Sequence, residues 1–312
     1  MHLQRLKILH VNSNMAWTQV KYIRAPWAGQ FLAQHPNCNS IYWSLGTMLS
    51  IFRQYTFDDS FSQVFVSAKF LKEYQIALTF ASDYDDEGAP TNGVFRPTWD
   101  LSKVTPESIA RFKDKNPNVD IKVFISIGNR GTQHPFKPLN NKTWIDNATE
   151  SLTHLIKNED YNLHVDGIDV LYEHIDASPG DFIECVGQLI RNLKEKGVVS
   201  EASISPSFAL NEEYYPLLYS AVSFFVDWVD YQFQSELKPV FDPTTLVKRY
   251  NELTKLYPRR KLFAGYSAEN EDWATLSPIV FFLGGMDILK KRKAPGVSIH
   301  YHNYYADAPN KD

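Results

Sequence analysis

The stretch VDGIDVLYEHID, residues 165–176, places Asp166, Asp169 and Glu173 close together around Leu171. Side chains alternate along a strand, so Asp169, Leu171 and Glu173 share one face. If that face is the inside of a parallel barrel, Glu173 stands at the C-terminal end of the strand, where such barrels build their active sites. A carboxyl group there can pass a proton to or from a bond being cleaved. Leu171, two residues earlier, can neither carry charge nor accept a hydrogen bond. A rise of about 3.3 Å per residue puts the Cα atoms of Asp169 and Glu173 ~13 Å apart, against ~6.6 Å for residues 171 and 173. Asp169 therefore sits too deep to replace what Leu171 lacks. The competing reading is that Glu173 is a structural acid, satisfied by hydrogen bonds or an ion pair.

The elements around this stretch have to form a barrel for that geometry to hold. Eight short apolar runs read as strands: 49–57, 74–82, 120–128, 165–173, 201–207, 227–234, 261–267 and 296–302. Helical patterns separate them, as in repeated βα units with a parallel sheet. Thr105-Pro106 and Ser178-Pro179 supply helix caps followed by first-turn prolines. The second of these helices shows an apolar face of Phe182, Val186, Leu189, Ile190 and Leu193 and stops at Gly197. Further helices are predicted over about 143–157, 243–256 and 277–292. This element count and length suit an α/β fold, a single-domain (β/α)8 TIM barrel over 49–312. A doubly wound open sheet is the weaker alternative, because no glycine-rich phosphate loop follows the first strand.

Residues 1–48 differ in kind. They carry Arg5, Lys7, Lys21 and Arg24 with no Asp or Glu, and three of the seven Trp residues. They are expected to be an N-terminal extension outside the domain, an upstream or transit segment. The full chain of 312 residues has a net charge of −4, which argues against nucleic acid and anionic membranes as partners. It also lacks the roughly 18–20 apolar residues in a row that a membrane span needs. Its two cysteines have no metal-site spacing. The cytoplasm is the expected compartment, or the plastid if residues 1–48 are a transit segment.

Several blocks together resemble glycoside hydrolase family 18, the chitinases. DGIDVLYE matches that family's fourth-strand D-G-x-D-x-D-x-E, with Leu171 in place of the third Asp. FISIG, containing Ser126, is similar to the third-strand S-x-G-G, with Asn129 in place of the second Gly. VDYQF brings Tyr231 and Gln232 to the segment that surrounds the sugar, and residues 80–100 resemble the second-strand region of plant members. The resemblance covers about residues 50–302. It implies that Glu173 is the counterpart of the acid that protonates the departing sugar oxygen. The substrate's own acetamide is the nucleophile in that chemistry. The Asp that orients the acetamide has Leu171 as its counterpart, while Asp169 and Asp166 are retained. His300 stands where a Trp forms the floor of the sugar site.

These departures resemble the plant branch of narbonin, concanavalin B and the RuBisCO-associated protein of legumes, barrels regarded as lacking hydrolytic activity. The branch implies a catalytically inactive barrel with a storage or protein-associating role. RuBisCO, a second copy of the chain or a chitooligosaccharide are the partners it implies. A weak glycosidase working through Glu173 on N-acetylglucosamine polymers is the alternative. Arg130 can reach the emptied cleft or remain an exposed loop residue. His300 and His302 on one strand face, with His174, raise a metal site. Barrel metallohydrolases usually open their first strand with that pair, however, and no Asp/His complement accompanies it here. Neither a metal nor a cofactor is expected.

Overall fold

The β-branched and aromatic runs do form strands in a computed structural model, which describes residues 50–64, 71–210, 212–235, 242–267, 276–291 and 294–300. The strands are β1 (Ile51–Thr56), β2 (Glu73–Ser82), β3 (Asp120–Asn129), β4 (Val165–Tyr172), β5 (Glu201–Ile204), β6 (Trp228–Gln232), β7 (Leu262–Ser267) and β8 (Gly296–His300). Each pairs in parallel with its sequence neighbours, and β1 pairs with both β2 and β8. The sheet is thereby closed, which excludes the open doubly wound alternative. Arg96–Pro97 adds a short antiparallel edge to the end of β2. The expectations for residues 1–48 and for His302 fall outside the described residues.

The helices are α1 (Phe61–Val64), α2 (Pro106–Lys115), α3 (Asn141–Lys157), α4 (Pro179–Glu195), α5 (Tyr215–Val222), α6 (Pro243–Leu253) and α7 (Pro278–Lys290). Thr105 and Ser108 form a reciprocal capping box for α2, and Ser178 accepts from the Asp181 N–H at the start of α4. Gly197 has φ +63°, the left-handed conformation that ends α4. The predicted apolar face of α4 is fully buried between sheet and neighbouring helices. Helix α5 has Pro216 in its first turn but no capping side chain to accompany it. Its N-cap is Tyr214, without a side-chain cap, and YPLLYSAV is apolar on most sides, so periodicity alone does not mark it. None of the described helices is long and apolar enough to cross a membrane.

The hydrophobic core lies between sheet and helices, while the barrel interior is unusually polar. Arg53, Gln75, Ser126, Asp169, Ser203 and Asp230 all point inward and are fully buried. At the N-terminal ends of the strands, Lys122 pairs with Glu73 at 3.2 Å and also with Glu201. That end is therefore stitched by ions, and the opposite end is left to form a mouth.

Candidate functional site

Asp169 is the hub of the interior. It accepts hydrogen bonds from Arg53 Nη1 at 3.2 Å, Ser126 Oγ at 3.0 Å, Ser205 Oγ at 2.8 Å and Ser203 Oγ. Arg53 Nη1 also lies 3.8 Å from Asp230, and its Nε donates to Gln75 at 2.7 Å. Tyr55 Oη is 3.2 Å from Asp169 and 2.8 Å from Asp230, and its single proton serves one carboxylate at a time. Burial pushes the Asp230 carboxyl up to about 6, against the opposing pull of Arg53. One buried cation thus serves two buried acids.

Beside this hub lies a small apolar cluster. Leu171 is fully buried and packs with Tyr55, Ala77 and Phe124. His300 stacks on the Tyr55 ring with centroids 3.8 Å apart and planes 8° from parallel. Burial, then the nearby Arg130 and Arg53 cations, hold its imidazole well below the usual histidine range. His300 is consequently a neutral ring, and its Nε2 finds no hydrogen-bond partner among the described residues.

Glu173 follows the end of β4, at the rim. The path of β3 beside it depends on Gly128, which has φ +112° and approaches β4 so closely that a Cβ would lie 2.2 Å from the Leu171 carbonyl oxygen. Past that approach, Gly131 donates its N–H to Glu173 Oε2 at 2.7 Å. Arg130 donates Nε to Glu173 Oε1 at 3.3 Å and Nη1 to Ser267 Oγ at 3.0 Å. The Arg130 side chain thus reaches from the end of β3 to those of β4 and β7, with only 16% of its surface exposed. Both oxygens of Glu173 act as acceptors, whereas a general acid has to present a proton to its substrate.

The structure separates the residues that sequence reasoning grouped together. Glu173, Leu171 and His300 line the mouth, with Gln232 inward at the end of β6, where it accepts from Gln234 Nε2 at 3.1 Å. Ser126 and Asp169 lie deeper, in the hub. Tyr231 is a correction: it points outward into the helical layer, where its hydroxyl accepts from Arg249 of α6 at 3.2 Å. Adjacent strand residues face opposite sides, so Tyr231 and Gln232 cannot both face the cleft. Asp166 is a second correction. It occupies a register shift near the start of β4, where its carboxylate accepts the Val123 N–H at 2.8 Å, at the far end from the mouth. Sequence reasoning missed Arg53, Tyr55 and Asp230. For Arg53 and Asp230 the available signal was a charged residue in the inward phase of a barrel strand; Tyr55 carried no such mark.

Arg130 is in the cleft, not in solvent. Among the described residues no group of three or more His, Cys, Asp or Glu is placed to hold a metal ion. Between Asp169 and Glu173 the inward-facing position 171 is held by an aliphatic side chain, which offers no hydrogen bond and no charge.

A closed parallel sheet of eight strands with helices between them defines a (β/α)8 barrel protein. No family model matches the sequence. The chain is 39% identical to the RuBisCO-associated protein of Glycine max over 268 residues, 82% of this chain and 91% of that one. It is 33% identical to Chitinase 1 of Tulipa saxatilis subsp. bakeri over 256 residues, 79% of this chain and 78% of the relative. Its fold superposes with a TM-score of 0.69 on the catalytic domain of the family GH18 chitinase from the fern Peteris ryukyuensis, at 30% identity over 80% of this chain and 90% of that one. The family 18 chitinase from Crocus vernus gives the same TM-score at 29% identity, covering 80% of this chain and 91% of that one. The chain belongs to glycoside hydrolase family 18, in its chitinase-like plant branch.

Proposed function

We propose that this barrel cleaves no glycosidic bond by the family mechanism and works instead by associating with another protein. The observation that carries the first half is the engagement of Glu173 by Arg130 and Gly131 beside Leu171. The acid is occupied, and its orienting partner is missing. The name of the soybean relative, RuBisCO-associated protein, makes RuBisCO the partner to test first. Cys185, a buried free thiol, suits the reduced cytoplasm as the compartment.

Mass spectrometry of chitotetraose incubated with the full chain and with its Glu173→Gln variant tests the first half. We expect intact substrate from both, and cleavage by the wild type alone would sink the reading. Leu171→Asp by itself is expected to stay silent, because Arg130 still engages Glu173. Turnover restored only by combining Leu171→Asp with Arg130→Gly would place the defect in these two residues. Saturable binding of chitotetraose without cleavage would assign the mouth to sugar binding.

A further inference from the structure

The turn that follows α5 is held open by cations. Arg191 Nη2 donates to the Ala221 carbonyl at 2.8 Å, and Lys194 Nζ donates to that of Phe225 at 3.1 Å. Lys261 Nζ donates to Ser223 O at 3.1 Å and to Val226 O. Three positive side chains from α4 and from the approach to β7 thus converge on the negative end of α5 and fix the turn's backbone. Clamped this way, the turn projects Phe224 almost fully into solvent, at 88% exposure.

Phe224 does not stand alone. Leu217 and Ala221 lie on the outer side of α5 and Phe224 follows in the turn beyond its end, all three exposed. Tyr257, in the segment after α6, packs edge-on against Tyr219 of α5 at 5.3 Å and brings exposed Leu256 to the same end of the molecule. Arg260 adds a further positive charge beside Tyr219 and Lys261. Asp227 partly balances the group, and it is paired with Lys194 at 2.6 Å. A positive, aromatic-tipped patch is unusual on a chain of net charge −4. Phenylalanine and arginine are among the side chains enriched where proteins contact one another.

Resting on the protein-associating reading above, we infer that the α5–β6 turn is the docking surface. Its occupant is a negatively charged protein surface with an apolar recess that takes the Phe224 ring. Charge complementarity selects the partner, and the aromatic supplies the anchor. The surface lies at the N-terminal ends of the strands, opposite the mouth, so binding there leaves Glu173 and Arg130 untouched.

The test presents immobilised, purified RuBisCO holoenzyme to the full chain and to Phe224→Ser, Arg260→Glu and Leu139→Ser variants. Leu139 is also exposed, at 65%, but it lies in the loop between β3 and α3 on the mouth side. We expect wild-type binding that weakens as salt is raised. Phe224→Ser should weaken it by roughly tenfold or more, Arg260→Glu should weaken it too, and Leu139→Ser should leave it unchanged. Wild-type melting temperatures for all three variants would exclude misfolding as the cause. Undiminished binding by Phe224→Ser overturns the assigned surface while leaving the partner intact. Absence of wild-type binding removes RuBisCO as partner, and this surface with it. Self-association that depends on Phe224, seen by light scattering, would give the patch to a second copy and overturn the inference.

Discussion

His300 shows how a single replaced side chain changes the physics of the mouth. Its pKa is depressed in the fold, whereas the unfolded chain offers an ordinary imidazole near 6.5. Below that pH the unfolded state binds a proton that the folded state refuses, so this contribution to stability is present above 6.5 and lost as pH falls. One pH unit below 6.5 the loss is on the order of 1 kcal/mol. Asp230 acts in the opposite sense: its pKa is raised from 3.8 to about 6, so its contribution is present below 3.8 and lost as pH rises through about 6. Unfolding of wild type and His300→Phe, compared at about pH 7.5 and pH 5.5, isolates the first effect. The variant should lose about 1 kcal/mol less over that interval. An unchanged difference would mean that His300 titrates freely in the fold. The sequence made Leu171 and Glu173 legible because strand alternation and spacing are local. It could not show that Glu173 pairs with Arg130, since that contact depends on how the chain leaves β3.

At the level of elements, β3 and β4 are matched through a few close approaches. Gly167 permits one of them, because a Cβ there would lie 2.4 Å from the Phe124 ring and 3.0 Å from the Glu201 carbonyl oxygen. Gly167→Ala should therefore destabilise the fold by about 1–3 kcal/mol through overpacking. Urea denaturation measures this directly, and an unchanged midpoint would contradict the packing described. Strands and capped helices were readable because their signals lie within a few residues: alternation, Ser or Thr before Pro, and Gly197 after α4. Helix α5 escaped because its residues are apolar on most sides and its start is uncapped. The phase of β6 was misjudged for another reason. Tyr231 and Gln232 both suit a sugar site by residue type, while the pleat lets only one of two neighbours face in.

For the molecule as a whole, the polar hub replaces the branched aliphatic layers usual inside such barrels. Arg53 is its only described cation, and it joins β1 to β4 and β6 through Asp169 and Asp230. Arg53→Leu should cost about 3–5 kcal/mol, because it strands two buried carboxylates. Thermal unfolding measures this, and partial recovery in Arg53→Leu combined with Asp230→Asn would tie the loss to the unpaired acid. Little of the hub could be read along the chain. Arg53 and Asp169 are separated by 116 positions, and composition does not reveal which distant charges will meet.

That separation has a kinetic side during synthesis. Tyr55 meets Asp230 across 175 residues, so at about 5–20 residues per second the ribosome needs roughly 9–35 s to deliver the second carboxylate after the first strand has emerged. Until then Arg53 and Tyr55 have only Asp169 of the two carboxylates to meet. Closure of the barrel around its charged centre is therefore a late event of translation, and a chain truncated before β6 ends with a guanidinium that has met only one of its two counter-ions.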